Sequence, residues 1–181
     1  ARDKGAGNVG VASVSIATVG VIILVTLLFG YISRVPDGPF ETYYDNGQLR
    51  SKGTVKDGKG DGPYEGYYEN GQLEEKRTYK DGVQDGPYEM YYENGQLMEK
   101  GTFKDGESVD GPYEMYYENG QLRRRGTYKD GEEDGPFEGY DENGEVWSKG
   151  TYKDGEECGE WIELGETVTY PPCPPDLEDG N

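Results

Sequence analysis

Hydrophobic positions fall into two patterns along the chain. From Val9 to Ile32 they run almost unbroken, as "VGVASVSIATVGVIILVTLLFGYI", and no charged residue lies between Gly5 and Ser33. Beyond that run they become sparse, mostly Tyr, and alternate with charges. A stretch such as "DGPYEGYYENGQLEEKRTYKDG", residues 61–82, returns almost unchanged along the chain. At about 1.5 Å per residue the first run spans roughly 36 Å as a helix, enough for a hydrocarbon core of about 30 Å. It predicts a leader over 1–8 and a transmembrane helix over 9–33, because the apolar part of a cleaved signal would be only about 7 to 15 residues. Tyr31 and Arg34 suit the membrane interface. Gly10, Ser13, Ala17 and Gly20 share one helical face, and small residues at that spacing let another helix approach closely in lipid.

The second pattern predicts a repeat. Asp-Gly-Pro begins at Asp37, Asp61, Asp85, Asp110 and Asp134, spaced 24, 24, 25 and 24 residues apart, and a decayed sixth unit begins at Cys158. Each unit reads as two short strands around Asn-Gly, a strong hairpin signal. A two-residue loop at Asn70-Gly71 places Glu65 opposite Lys76 and Tyr64 opposite Arg77. The same arithmetic pairs Glu41 with Lys52, Glu89 with Lys100, Glu114 with Arg125 and Glu138 with Lys149. It also sets Tyr44, Tyr68, Tyr92 and Tyr117 against Leu49, Leu73, Leu97 and Leu122, as an aromatic face that is structural or partner-binding. Phe40, Tyr88, Tyr113 and Phe137 fall opposite Gly53, Gly101, Gly126 and Gly150, where a ring can cover a bare strand glycine. In the fifth unit Asp141 falls opposite Val146, and Tyr140 opposite Trp147 on the charged face. The expected fold is all-β: a single twisted antiparallel meander of five to six hairpins, about ten to twelve strands, over residues 37–165. One transmembrane helix precedes it. Residues 166–181, with four prolines, are expected to run extended along a surface.

Composition narrows the chemistry. The chain of 181 residues carries a formal charge of -19 and no His. Nucleic acid is not an expected partner, since phosphate binding needs clustered Lys and Arg. The missing imidazole removes the usual proton carrier and metal ligand near neutral pH. "KDGEED" and "DENGE" lack the ligand spacing of a calcium loop, and paired carboxylates on a flat solvated sheet lack the cleft that glycoside hydrolysis needs. No catalytic, metal or cofactor site is expected. Cys158 and Cys173 are either a disulfide or two free thiols; an oxidising compartment would favour the first. Cations on the two sides of the apolar run do not decide its orientation. The short leader and the acidic repeats favour a cytoplasmic N-terminus with the repeats outside.

"YEGYYENGQ" followed by "KGTYKDG" resembles the MORN repeat, in the variant common in bacterial proteins. The matching positions in one unit are Tyr113, Glu114, Tyr117, Asn119, Gly120, Gly126, Thr127 and Tyr128. The resemblance implies sheets of hairpins that act as scaffolds, protein-binding surfaces or lipid-contacting surfaces, and some members carry an antitoxin label. It brings no catalytic machinery with it.

These readings lead to a non-enzymatic single-pass accessory subunit. It would brace a larger membrane complex (a photosynthetic or respiratory supercomplex, for example), with integral membrane subunits as partners. The alternatives are a membrane-anchored module binding a peptide or glycan on its aromatic face, and an antitoxin-like inhibitor.

Overall fold

The computed structural model describes residues 36–106 and 111–175. The helix expected over 9–33, with Gly10, Ser13, Ala17 and Gly20, lies outside the described residues. Among those described, no helix is long and apolar enough to cross a membrane.

Fifteen strands form one antiparallel sheet among the described residues. The first unit supplies β1 (Gly38–Tyr43) and β2 (Leu49–Lys56), and the two-residue β3 (Lys59–Gly60) leads into the second. Then come β4 (Gly62–Tyr67), β5 (Leu73–Lys80), β6 (Val83–Gln84), β7 (Gly86–Tyr91) and β8 (Leu97–Phe103). The rest are β9 (Gly111–Tyr116), β10 (Leu122–Lys129), β11 (Glu132–Glu133), β12 (Gly135–Tyr140), β13 (Val146–Lys153), β14 (Glu156–Glu163) and β15 (Glu166–Thr169). Twelve lie in sequence order across the sheet, while β3, β6 and β11 pair back onto β2, β5 and β10. The meander is therefore the expected one.

Its turns are not. The Asn-Gly loop holds three residues rather than two: Tyr68 N–H donates to Gln72 O at 2.8 Å, and Gly71 N–H to Tyr68 O at 2.8 Å. Only Gly71 is left-handed there, at φ 85°. The two-residue turn with both φ values positive sits at the opposite end of each hairpin, at Asp-Gly. Asp81 has φ 51° and Gly82 φ 88°, between Lys80 and Val83. Asn70 acts through its side chain, where Oδ1 accepts from Gln72 N–H at 2.8 Å. Asx side chains favour this bond, which mimics a backbone turn.

The longer loop shifts the pairing by one, so Leu73 meets Tyr67 and not Tyr68. The same correction holds for Leu49 with Tyr43, Leu97 with Tyr91 and Leu122 with Tyr116. In the fifth unit Val146 meets Tyr140, so neither Asp141–Val146 nor Tyr140–Trp147 is a pair. A bulge then restores the expected register: Glu74 is the extra residue, after which Gly66 meets Glu75, Glu65 meets Lys76 and Tyr64 meets Arg77. A bulge absorbs one residue without breaking the ladder further on.

Each unit joins the next through a bent strand. β6 and β7 both run along β5, but the register moves between Tyr79–Gln84 and Lys76–Glu89. The bend falls at Asp85-Gly86-Pro87, where Pro has no N–H to give to the ladder. Asp85 N–H still reaches Thr78 O at 2.9 Å.

The core is one row of rings. Tyr88, Tyr113 and Phe137 are buried, and Trp161 is the most buried side chain at 1% exposure. Trp161 stands 24 residues after Phe137, so the decayed sixth unit keeps the ring while losing most of the motif. A Cβ on Gly126 would lie 2.9 Å from Tyr113 Cε1, which is why the strand stays bare there. Over Gly150 the covering ring is Trp161, although Phe137 is its register partner.

The C-terminal segment is partly a strand. Residues 166–169 form β15 against β14, and the chain then turns back so that Gly159 N–H donates to Pro171 O at 2.8 Å. Cys158 and Cys173 are joined in a disulfide with their Cα atoms 4.8 Å apart.

Candidate binding surface

Alternation along the strands gives the sheet two unlike faces. One face carries a ladder of opposite charges. Every predicted Glu–Lys or Glu–Arg pair is in register, but the ion pairs mostly reach across to the preceding unit. Lys52 meets Glu65 at 2.9 Å, Lys76 meets Glu89 at 3.4 Å, Lys100 meets Glu114 at 2.8 Å and Arg125 meets Glu138 at 2.6 Å. Each Glu also accepts from the Tyr two residues on: Tyr67 donates to Glu65, Tyr116 to Glu114 and Tyr140 to Glu138. The Tyr140 hydroxyl, Lys149 and Arg125 together hold the Glu138 carboxyl down at about 2. The Tyr67 hydroxyl, then Lys52, lower Glu65 in the same way. These carboxylates are fixed anions, and none is poised to carry a proton near neutral pH.

Tyr44, Tyr68, Tyr92 and Tyr117 stand at the turn end as a row, as expected, but they do not form a free aromatic face. Each hydroxyl donates to a backbone carbonyl of the next unit: to Tyr67 O, Tyr91 O, Tyr116 O and Tyr140 O, at 2.6 to 2.9 Å. Asn46, Asn70, Asn94 and Asn119 do likewise, their Nδ2 groups reaching Glu69 O, Glu93 O, Glu118 O and Glu142 O. The predicted site residues are thus clasps between units. Asp141 ends the series: it has no ring or hydroxyl, and it accepts from Asn143 N–H and Glu145 N–H within its own turn.

The opposite face holds the ring row and a trough of polar groups. Tyr79 lies 5.9 Å from Tyr64, Phe103 5.0 Å from Tyr88 and Tyr128 4.7 Å from Tyr113, between ring centres. Tyr88 donates to Glu99 and Tyr113 to Glu133. Burial, then these carboxylates, push both phenols well above their ordinary value. Arg77, where a glycine stands in other units, is held by Glu75 and donates to Gln84 Oε1 at 2.8 Å.

Towards the C-terminal end the trough opens into a cavity of about 500 Å³. Phe137, Trp147, Tyr152 and Tyr170 supply its rings, Glu133, Glu157 and Glu163 its carboxylates, and Arg124 a single cation. Trp147 is the bulge residue of β13 and turns onto this face, over Gly139 and 6.3 Å from Phe137. Tyr170 donates to Glu163 at 2.8 Å. Burial pushes the Tyr152 phenol up to about 12. Leu164 forms the rim, with its N–H donating to Trp147 O at 2.8 Å. The lining of rings and carboxylates suits a side chain or sugar entering from outside. Sequence reasoning missed this cavity. The signal for it was the departure from the repeat: Trp147 stands at the bulge position, and the two-residue turn Leu164-Gly165 closes β14 onto β15 where other units place the Asn-Gly loop.

A sheet of hairpins clasped unit to unit, with one charged face and one ring-lined face, defines an open β-repeat protein. The MORN repeat variant matches five times, at residues 36–57, 60–81, 84–105, 109–130 and 133–154, and the chain belongs to this family. The matches together cover more than half of it, and stop before the unit that carries Trp161. No curated protein matches the chain.

Proposed function

We propose that this chain is a non-enzymatic scaffold subunit, held at a membrane by residues 9–33, that braces neighbouring proteins of a larger membrane complex through its sheet. Leu164 carries the reading. It is 85% exposed, beside Trp147 at 40%, on the rim of the ring- and carboxylate-lined cavity. It also occupies a left-handed turn position, φ 50°, that the other five such turns give to Asp. A branched apolar residue is costly there and gains nothing from water. A partner surface that covers Leu164 and reaches into the cavity accounts for both features. The apolar run supports the anchor, and the disulfide supports an extracytoplasmic repeat domain. The catalogue of carboxylates already committed to Tyr and Lys supports a structural role.

The test uses the full chain in its native membrane, gently solubilised. The unaltered protein should migrate with a large complex in fixed stoichiometry. Leu164→Asn should stay folded and membrane-bound yet leave that complex. Recovery of the unaltered chain only as a free monomer from intact membranes overturns the proposal.

The cavity favours a second reading, a membrane-anchored module for a soluble peptide or glycan. Trp147→Ala would then abolish ligand binding without freeing the chain from any assembly. Replacing Tyr68, Tyr92 and Tyr117 would not discriminate, because their hydroxyls hold the sheet together. The antitoxin-like reading has no residue of its own to rest on.

A further inference from the structure

The two ends of the array are finished differently. At the C-terminal end, β14 and β15 cover β13, the disulfide ties the return segment down, and Asp141 replaces the clasping Tyr. Asn143 Nδ2 lies 3.4 Å from Asp141 Oδ2 and, among the described residues, reaches no further unit. At the other end β1 is an edge strand of six residues with the full accepting half of a repeat junction.

Four internal junctions define what that half receives. The upstream unit gives a Tyr hydroxyl, an Asn amide and a cation, as Tyr44, Asn46 and Lys52 give to Tyr67 O, Glu69 O and Glu65. It also pairs its backbone at Ser51–Lys52 with Glu65–Gly66, and lays Gln48 over Gly71. In the first unit the matching acceptors are Tyr43 O, Asp45 O, Glu41 and the backbone of Glu41–Thr42. Tyr43 is 58% exposed. Among the described residues, Glu41 receives the Tyr43 hydroxyl but no cation from an upstream side, unlike Glu65, Glu89, Glu114 and Glu138. A Cβ on Gly47 would meet nothing within 4 Å, whereas Gly71, Gly95 and Gly120 each lie under a Gln.

We infer that β1 is a docking edge for an extended, cationic segment of a partner protein. The segment adds to the sheet antiparallel to β1, sets a Lys or Arg against Glu41 and donates side-chain hydrogen bonds to Tyr43 O and Asp45 O. Strand addition to an exposed edge takes its affinity from backbone hydrogen bonds and its specificity from the side chains. Charge complementarity selects the occupant. A second copy brings a further charge of -19, and its own clasps are spent on internal junctions or replaced by Asp141. At the other end of the described sheet, β15 is four residues long and carries no Tyr, Asn or cation, so it does not offer the donating half that β1 would receive.

The probe is a synthetic peptide with the sequence of residues 92–104, which holds the donating Tyr, Asn and Lys of an upstream half. It is added to the full chain in detergent, with backbone amide exchange as the readout. The peptide should protect amides between Glu41 and Gly47 and leave the C-terminal units unchanged. A peptide with Lys100→Glu should bind about tenfold more weakly, since juxtaposed like charges oppose association. The chain variant Glu41→Lys should reverse that preference, and Glu41→Gln, which keeps the shape, should flatten it. Equal binding of both peptides, or no protection, overturns the inference. So does protection of the same amides without peptide: if independent of concentration, the chain's own residues 1–35 cover the edge, and if it grows with concentration, a second copy does.

Discussion

At the residue scale, adjacent tyrosines in each unit do unlike work. Tyr67 points its hydroxyl at Glu65 on the charged face, whereas Tyr68 closes the junction to the next unit through Tyr91 O. Losing a hydrogen bond of the second kind takes its clasping donor from a part-buried carbonyl of the next unit. Tyr92→Phe should therefore lower unfolding stability by about 1 kcal/mol, measured by urea denaturation, while Tyr91→Phe, whose partner Glu89 keeps Lys76, should cost less. The charge ladder supplies a pH dependence. Glu138 is held at about 2 by Tyr140, Lys149 and Arg125, and Glu65, Glu89 and Glu114 are also lowered. A depressed folded-state value stabilises the fold above the ordinary Glu value of about 4.3, and that contribution declines as pH falls towards 2. Glu138→Gln should be less stable than the parent at pH 7 and should lose less stability between pH 5 and 3, as followed by thermal melts. The alternation of Glu and Lys made this ladder legible; that its ion pairs run mainly between units was not, because strand order across a junction is set in three dimensions.

At the element scale, two glycine turns alternate along the chain. The Asp-Gly turn has two left-handed residues, while the Asn-Gly loop has one and relies on the Asn side chain. Both dipeptides suit either geometry, so the local sequence left their assignment open. The bulge hid the error: one residue added by the loop is removed at Glu74, and the charge pairs beyond it agree with either count. Only the Tyr–Leu pairs, lying between loop and bulge, distinguish them, and there Leu73 meets Tyr67. Gly71→Ala should destabilise by more than about 1 kcal/mol, because its φ is 85° and its Cβ would fall 2.3 Å from Gln48 Oε1. Leu164→Asp should act in the opposite direction, raising stability by about 1 kcal/mol by fitting the left-handed position as the other five turns do. The same urea series reads both.

At the scale of the whole array, the first five units are clasped each to the next, so stability is a sum of units and junctions. The C-terminal unit has in addition a disulfide closing a separation of 15 residues, worth about 3 kcal/mol in the chain-entropy view. Both tryptophans, Trp147 and Trp161, lie in that terminal region. Their fluorescence reports the end of the sheet, while far-ultraviolet dichroism reports all of it. With the disulfide intact the two unfolding curves should coincide. After reduction, or in the Cys158→Ser, Cys173→Ser double variant, the fluorescence transition should come first.

What the sequence determined alone was periodic: the repeat length, the antiparallel meander, the rings over glycines and the pairing of opposite charges. Those follow from residues close together in the chain, where spacing dictates geometry. Tertiary structure decided which turn took which form, that Tyr44, Tyr68, Tyr92 and Tyr117 bond onward to the next unit, and that the sulfurs of Cys158 and Cys173 meet. It also decided that Trp147 and Tyr170 face one cavity and that, among the described residues, β1 meets no upstream Tyr, Asn or cation. Each of these depends on atoms brought together from different hairpins, and no spacing along one strand encodes the distance between two.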